Sequence, residues 1–244
     1  MHINSGKSTA KLLIALASLG LAGCASTGGT PESGDVFVSE FDRQDPLQPM
    51  NRVIFAFNDT IDRYALRPAA KAYKDYMPQP VQTGVHNFFE NLREPRNAVS
   101  NTLQGKFSEA VSDTGRFLVN STLGLAGTFD PASRMGLEKS DEDLGQVLGA
   151  WGVPSGPFLM LPIFGPSSLR DAPAQYADGL IWPPNYMNDE GWSWGAVAGN
   201  AFDARAQLVG PDEQIFGDRY AAIRDLWIQT REAAVLDGMV EDDF

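Results

Sequence analysis

Residues 45–62 read DPLQPMNRVIFAFNDTID, and the spacing of their apolar members decides the fold class. Leu47, Met50, Ile54, Phe57, Ile61 and, just beyond, Tyr64 recur at alternating steps of three and four, which sets them in one stripe of an α-helix. Asn51, Asp59, Asp62 and Arg63 fall mainly on the other side. Pro68 disfavours the helical conformation at Arg67 and suits a first helical turn, so this helix is expected to stop near Leu66.

Two further stripes follow: Val81, Val85, Phe88 and Leu92, expected to end at Pro95, then Phe107, Ala110, Val111, Thr114, Phe117 and Leu118. Towards the C-terminus, residues 196–209 and 212–236 read as helices, the second with Ile223, Leu226, Trp227, Thr230 and Ala234 on its face. No internal repeat is visible, which argues against a solenoid. The expected class is mainly α.

The middle has a different character. Residues 120–131, NSTLGLAGTFDP, are too glycine-rich for a stable helix and too apolar for an ordinary surface loop. Residues 141–171, DEDLGQVLGAWGVPSGPFLMLPIFGPSSLRD, continue in that vein, with glycine and proline punctuating large apolar side chains. Pro154-Ser155-Gly156 suggests a hairpin or tight bend, and residues 158–164 a short strand or extended chain under helices. Two readings fit this segment: an irregular part of the core, or the wall of a lipid path, where glycine lets backbone approach closely and move.

The N-terminus carries an export signal. Lys7 and Lys11 form a positive region, residues 12–21 an apolar one, and Leu21-Ala22-Gly23-Cys24 matches the bacterial lipobox. Cys24 is the one cysteine in the sequence, so once it is acylated, disulfides and thiol chemistry drop out. Two or three acyl chains make such an anchor lasting. Ala25, rather than aspartate, follows the cysteine, which points to the outer membrane. Cleavage before Cys24 removes two lysines from 19 Lys+Arg and none of the 31 Asp+Glu, leaving a net charge of -14. Such a chain is ill suited to nucleic acid, whose binding is mostly cationic attraction. The mature chain holds no apolar run approaching the roughly 18 residues of a membrane-spanning helix.

Motifs for chemistry are weak. Gly6-Lys7-Ser8-Thr9 resembles the end of a phosphate-binding loop but lacks its leading glycine and sits in the signal. Ser167 and Ser168 lack a G-x-S-x-G setting, and His86 is the one histidine of the mature chain. Asp141-Glu142-Asp143 reads as a helix start rather than a cation site, and no metal site or cofactor is expected. Arg63, Arg67, Lys71 and Lys74 make a local basic patch, either a solvated face or a contact for lipid phosphate.

The stretch at residues 45–62 resembles the opening of the MlaA/VacJ family of outer-membrane lipoproteins. So do RPAAKAYKDYMPQPVQTGVHNFFENLREP, RFLVNSTLGLAGTFDPA, EDLGQVLGAWGVPSGPFLMLPIFGPSSLRDA and DARAQL, in order, over roughly residues 45–232. The resemblance implies a ring-like assembly of amphipathic helices in the inner leaflet of the outer membrane, on its periplasmic side, around an amphipathic channel. It further implies a trimeric porin as neighbour, removal of misplaced phospholipid from the outer leaflet, and delivery to a soluble periplasmic carrier of the MlaC kind. No catalysis is implied. On this reading Leu123, Leu125, Phe129, Trp151, Phe158, Leu159, Met160, Leu161, Ile163 and Phe164 become candidate channel wall or gate. Gly124, Gly127, Gly149, Gly152, Gly156 and Gly165 become candidate hinges. The chain divides into a signal peptide (1–23), a lipidated tether (24–44), one helical domain (45–236) and a short acidic tail (237–244). The alternatives are a structural lipoprotein binding an outer-membrane barrel, or a lipid hydrolase using Ser168 and His86.

Overall fold

The computed structural model describes residues 44–186, 190–215 and 217–237. The signal peptide, Cys24, the tether before Gln44 and the tail after Asp237 lie outside the described residues.

The stripe at residues 47–64 is helical, but the chain does not stop at Pro68. Helix α1 (Gln48–Ile61) passes through a π-turn (Asp62–Leu66) directly into α2 (Arg67–Tyr76). Proline has no N–H to give and its ring crowds the carbonyl four residues back. The chain accommodates this by widening one turn earlier, where the Arg67 N–H reaches the carbonyl of Asp62, five residues back. Helix α3 (Gln79–Gln104) likewise continues through Pro95. Side chains of the neighbouring turns are tied elsewhere, Glu94 to Arg116 and Asn97 to the Ser140 carbonyl, and these tertiary bonds override the local preference.

Gly105, with φ 80°, ends α3 in a left-handed cap, and α4 (Phe107–Thr122) packs back against it as a helical hairpin. After the turns at 123–129 comes the short α5 (Pro131–Arg134), capped by the Asp130 side chain. Helix α6 (Leu144–Ala150) lies inside the stretch expected to be irregular; the Asp143 side chain caps it by accepting from the Gln146 N–H. A helix start at the acidic triplet is therefore what the structure contains.

Two short antiparallel strands follow, β1 (Phe158–Leu161) and β2 (Gly165–Ser168), with Phe158 opposite Ser168 and Leu161 opposite Gly165. The hairpin turns at residues 162–164, with Ile163 at φ 69°, not at the expected bend of Pro154-Ser155-Gly156. The outer edge of β1 is closed by α1. Asn51 donates to the Phe158 carbonyl (3.0 Å) and accepts from the Met160 N–H (2.9 Å). Asn58, two turns on, donates to the Leu161 carbonyl (2.9 Å) and accepts from the Ile163 N–H (2.8 Å). Two primary amides on one helix face thus act as a third strand.

Helix α7 (Asp171–Ile181), α8 (Glu190–Gln207) and α9 (Arg219–Val235) complete the chain, with single 3₁₀ turns at Pro183–Tyr186 and Pro211–Gln214. Helix α9 starts at Arg219, capped by Asp218, rather than near 212. Its buried side chains are Tyr220, Arg224 and Ile228; of the expected face, Trp227 packs against the core while Leu226 and Thr230 are exposed. The apolar core is small: Phe158, Met160, Tyr220 and Ile228, with Ile54, Phe55 and Trp227 packed against them. Phe158 meets Trp227 edge-on at 5.6 Å between ring centroids.

Candidate functional site

The polarity of the α3–α4 pair is inverted relative to a protein folded in water. The buried residues of α3 are Gln82, Phe89, Asn91, Glu94, Asn97, Ser100 and Asn101, and those of α4 are Ala110, Asp113, Arg116 and Asn120. Apart from Phe89 and Ala110, the apolar residues are half-buried or point outward: Phe107 is 66% exposed, Val111 72% and Leu118 58%. On α1, Met50, Val53 and Phe57 are exposed as well, while Asn51 is fully buried. The apolar stripes of the sequence are thus mostly the outer surface. Large apolar side chains exposed in such number suit contact with lipid or a partner.

Inside, the helices meet through hydrogen bonds. Arg116 donates from Nε to Glu94 (2.7 Å), from Nη2 to Asp130 (3.1 Å) and from Nη1 to the Leu137 carbonyl (3.0 Å). Asn101 donates to Asp113 (2.7 Å), whose carboxylate also accepts from Ser140. Asn91 donates to Ser121 (2.9 Å). Burial pushes the Glu94 carboxyl up to about 7, although Arg116 pulls against it. Burial also works against ionised Asp130, but bonds from Ser133, Arg116 and Asn120 outweigh it and hold its carboxyl down at about 2. The sequence does carry a trace of this seam, since Asn91, Glu94, Asn97 and Asn101 recur at helical steps. A polar stripe is ordinarily assigned to water, which is why the seam is missed.

A second charged cluster ties α6, α7 and α9 together. Arg231 forms two bonds to Asp143 (2.6 and 2.7 Å) and one to Asp171 (3.0 Å), and Arg170 bonds Asp171 at 2.8 Å. Beside it opens a cavity of about 430 Å³ with mixed walls: Phe158, Trp227, Ile228, Val235 and Leu236 on the apolar side, Arg170, Arg231 and Glu232 on the polar side.

The candidate wall residues divide into three groups. Leu123, Leu125 and Phe129, in the turns after α4, are exposed, as are Trp151 and the hairpin-tip residues Ile163 and Phe164. Leu159 and Leu161 are half-buried. Phe158 and Met160 belong to the core cluster, Phe158 also forming one edge of the large cavity. Among the candidate hinges, a Cβ on Gly124 would lie 2.4 Å from the Asn120 and Phe129 carbonyls, and one on Gly127 2.6 Å from the Asn91 side chain. Gly149 is similarly pressed by Val235 and Arg170. Gly152, Gly156 and Gly165 have positive φ and shape turns.

The candidate serine and histidine are occupied separately. Ser168 is fully buried and its Oγ accepts from the Asp171 N–H, at the start of α7. His86 Nδ1 pairs with Asp203 of α8 at 2.9 Å. In the basic patch, Arg63 is paired with Asp59 and Arg67 with Asp212. Among the described residues no group of three or more His, Cys, Asp and Glu is arranged to hold a metal ion, and no helix is long and apolar enough to cross a membrane.

Apolar faces turned outward, a hydrogen-bonded charged seam within, and a cavity with mixed walls define an amphipathic helical protein whose exterior suits lipid. Comparison with known proteins makes this specific. The MlaA lipoprotein family model matches residues 43–234, and the chain belongs to that family. It is 34% identical over 232 residues to the intermembrane phospholipid transport system lipoprotein MlaA of Escherichia coli, covering 90% of this chain and 86% of that one. The Haemophilus influenzae protein of the same name is 31% identical over 229 residues, covering 91% and 89%. A solved structure described as "Structural basis for maintenance of bacterial outer membrane lipid asymmetry" superposes with a TM-score of 0.69 at 34% identity, over 78% of this chain and 98% of that one.

Proposed function

We propose that this chain is a lipoprotein of an intermembrane phospholipid transport system, which removes misplaced phospholipid from the outer leaflet of the outer membrane and so maintains its lipid asymmetry. The observation that carries this reading is the inverted polarity of α1, α3 and α4, which offers lipid an apolar outside and keeps charge within. The names of the relatives support it.

The protein is held by acyl chains on Cys24 in the inner leaflet, on the periplasmic side. A trimeric porin lies against its outer faces, and a soluble periplasmic carrier of the MlaC kind accepts the lipid. The role is conveyance rather than catalysis: Ser168 is committed to a helix start and His86 to Asp203. The exposed residues Leu123, Leu125, Phe129, Trp151, Ile163 and Phe164 are the segment's candidates for contact with lipid, and the mixed-wall cavity for its passage.

Complementation of a strain lacking the endogenous protein tests this. The wild-type chain should restore low outer-leaflet phospholipid, read by an amine-reactive label on whole cells. Cys24→Ser, which has no thiol for the lipid transfer, should take up no palmitate analogue and restore little. A wild-type chain that leaves outer-leaflet phospholipid high, although abundant, would sink the reading.

A further inference from the structure

A small polar cavity of about 50 Å³ lies between α3, α4 and the chain after α4. Its floor is fully enclosed, with Glu94 1% and Asn91 3% exposed, whereas Lys139 and His86 at its mouth are partly open to solvent. Most hydrogen-bonding positions in the floor are filled. Glu94 Oε1 accepts from Arg116, and Asn91 Nδ2 donates to Ser121. Two acceptors are left over: no donor among the described residues reaches Glu94 Oε2 or Asn91 Oδ1. These side chains are three residues apart on α3 and so lie next to each other on its surface. The lining holds three acids, Glu90, Glu94 and Asp130, against two permanent bases, Arg116 and Lys139. Both atoms are shut off even from the cavity as the chain stands, so a donor reaches them only when side chains at the mouth move aside, and the excess of acids then favours a cationic one, since buried acceptors without a partner are costly.

We propose that this cavity is a headgroup site for phospholipids with a primary amine, the ammonium donating to Glu94 and Asn91 and the phosphate lying outward near Lys139. The proposal rests on the phospholipid reading above and names the lipid class it favours. A primary ammonium brings three N–H donors in a compact group. A choline headgroup carries three methyls and no N–H, so it can satisfy neither acceptor, and the cavity is small for it. A glycerol headgroup brings donors without the charge.

The test uses the full-length lipidated protein and vesicles containing equal amounts of ethanolamine and choline phospholipid with identical acyl chains. Lipid recovered with the protein is quantified by mass spectrometry. The ethanolamine lipid should be enriched about tenfold or more over the vesicle ratio, as one charge-assisted hydrogen bond would give. Glu94→Gln should bring the ratio back towards one. Asn91→Asp, which keeps the volume and adds charge, should raise it; the second variant serves if the first fails to fold. Recovery at the vesicle ratio overturns the headgroup site, leaves the cavity to water and leaves the transport reading standing. An enrichment unchanged in folded Glu94→Gln, or lost in Asn91→Asp, also overturns it. Recovery of no lipid at all overturns both readings.

Discussion

Glu94 is enclosed by protein and only half satisfied, and its titration has a definite sign. Its carboxyl titrates near 7 in the folded state, against an ordinary value of 4.5. The folded chain therefore binds this proton more tightly than the unfolded one. No penalty exists below about pH 4.5, and stability falls as pH rises from there through about 7. The full effect is of the order of 3 kcal/mol, taken from a shift of that size. Glu94→Gln removes the titration, so the thermal midpoint of wild type relative to this variant should drop between pH 5 and pH 8 in detergent. A difference that stays flat would contradict the assignment. Asp130 works in the opposite sense: its carboxyl is held at about 2, so the stability it contributes is present above pH 3.8 and is lost as pH falls through about 2.

Between elements, the closest specification is the pairing of α1 with the β-hairpin. Asn58 satisfies both the Leu161 carbonyl and the Ile163 N–H, at the turn that carries the exposed Ile163 and Phe164. Asn58→Ala should leave the helix intact and speed hydrogen exchange of the Ile163 amide by about fivefold, the effect of one lost hydrogen bond of roughly 1 kcal/mol. Unchanged protection would show that the turn is held by other contacts. The helices themselves were legible in the sequence, because stripes of Leu, Ile, Val and Phe at steps of three and four survive any environment. Their ends were less so. Pro68 and Pro95 read as stops, yet a π-turn absorbs the first and tertiary hydrogen bonds hold the helix around the second. Helix α6 hid behind Gly145 and Gly149, whose missing side chains make room for Arg231, Asp171 and Val235. The polar seam left only a stripe open to the wrong assignment, because the sequence does not say which solvent faces the outside; Glu94 and Arg116 look like surface residues until α3 and α4 are set against each other.

At the scale of the molecule, the account requires that the outward apolar faces meet hydrocarbon. Spin labels at Val111→Cys and Leu118→Cys should be more accessible to oxygen than to a water-soluble nickel chelate in proteoliposomes, and a label at the exposed Lys139 should show the reverse. Water-like access at positions 111 and 118 would mean that these faces meet neither lipid nor an apolar partner. The central claim is passage of phospholipid along the mixed-wall cavity, whose lining includes Ser155 and Glu232. Cysteines at these two positions, joined by a reducible bifunctional reagent, report on that path directly, because the native Cys24 is expected to be acylated and unreactive. The measurement is the rate of labelled phospholipid transfer from proteoliposomes to the soluble carrier. The account predicts that the fully cross-linked protein stops transferring and that reduction restores the rate. Transfer at the uncross-linked rate, with cross-linking confirmed as complete, would contradict it and return the segment around Gly156 to an irregular part of the core.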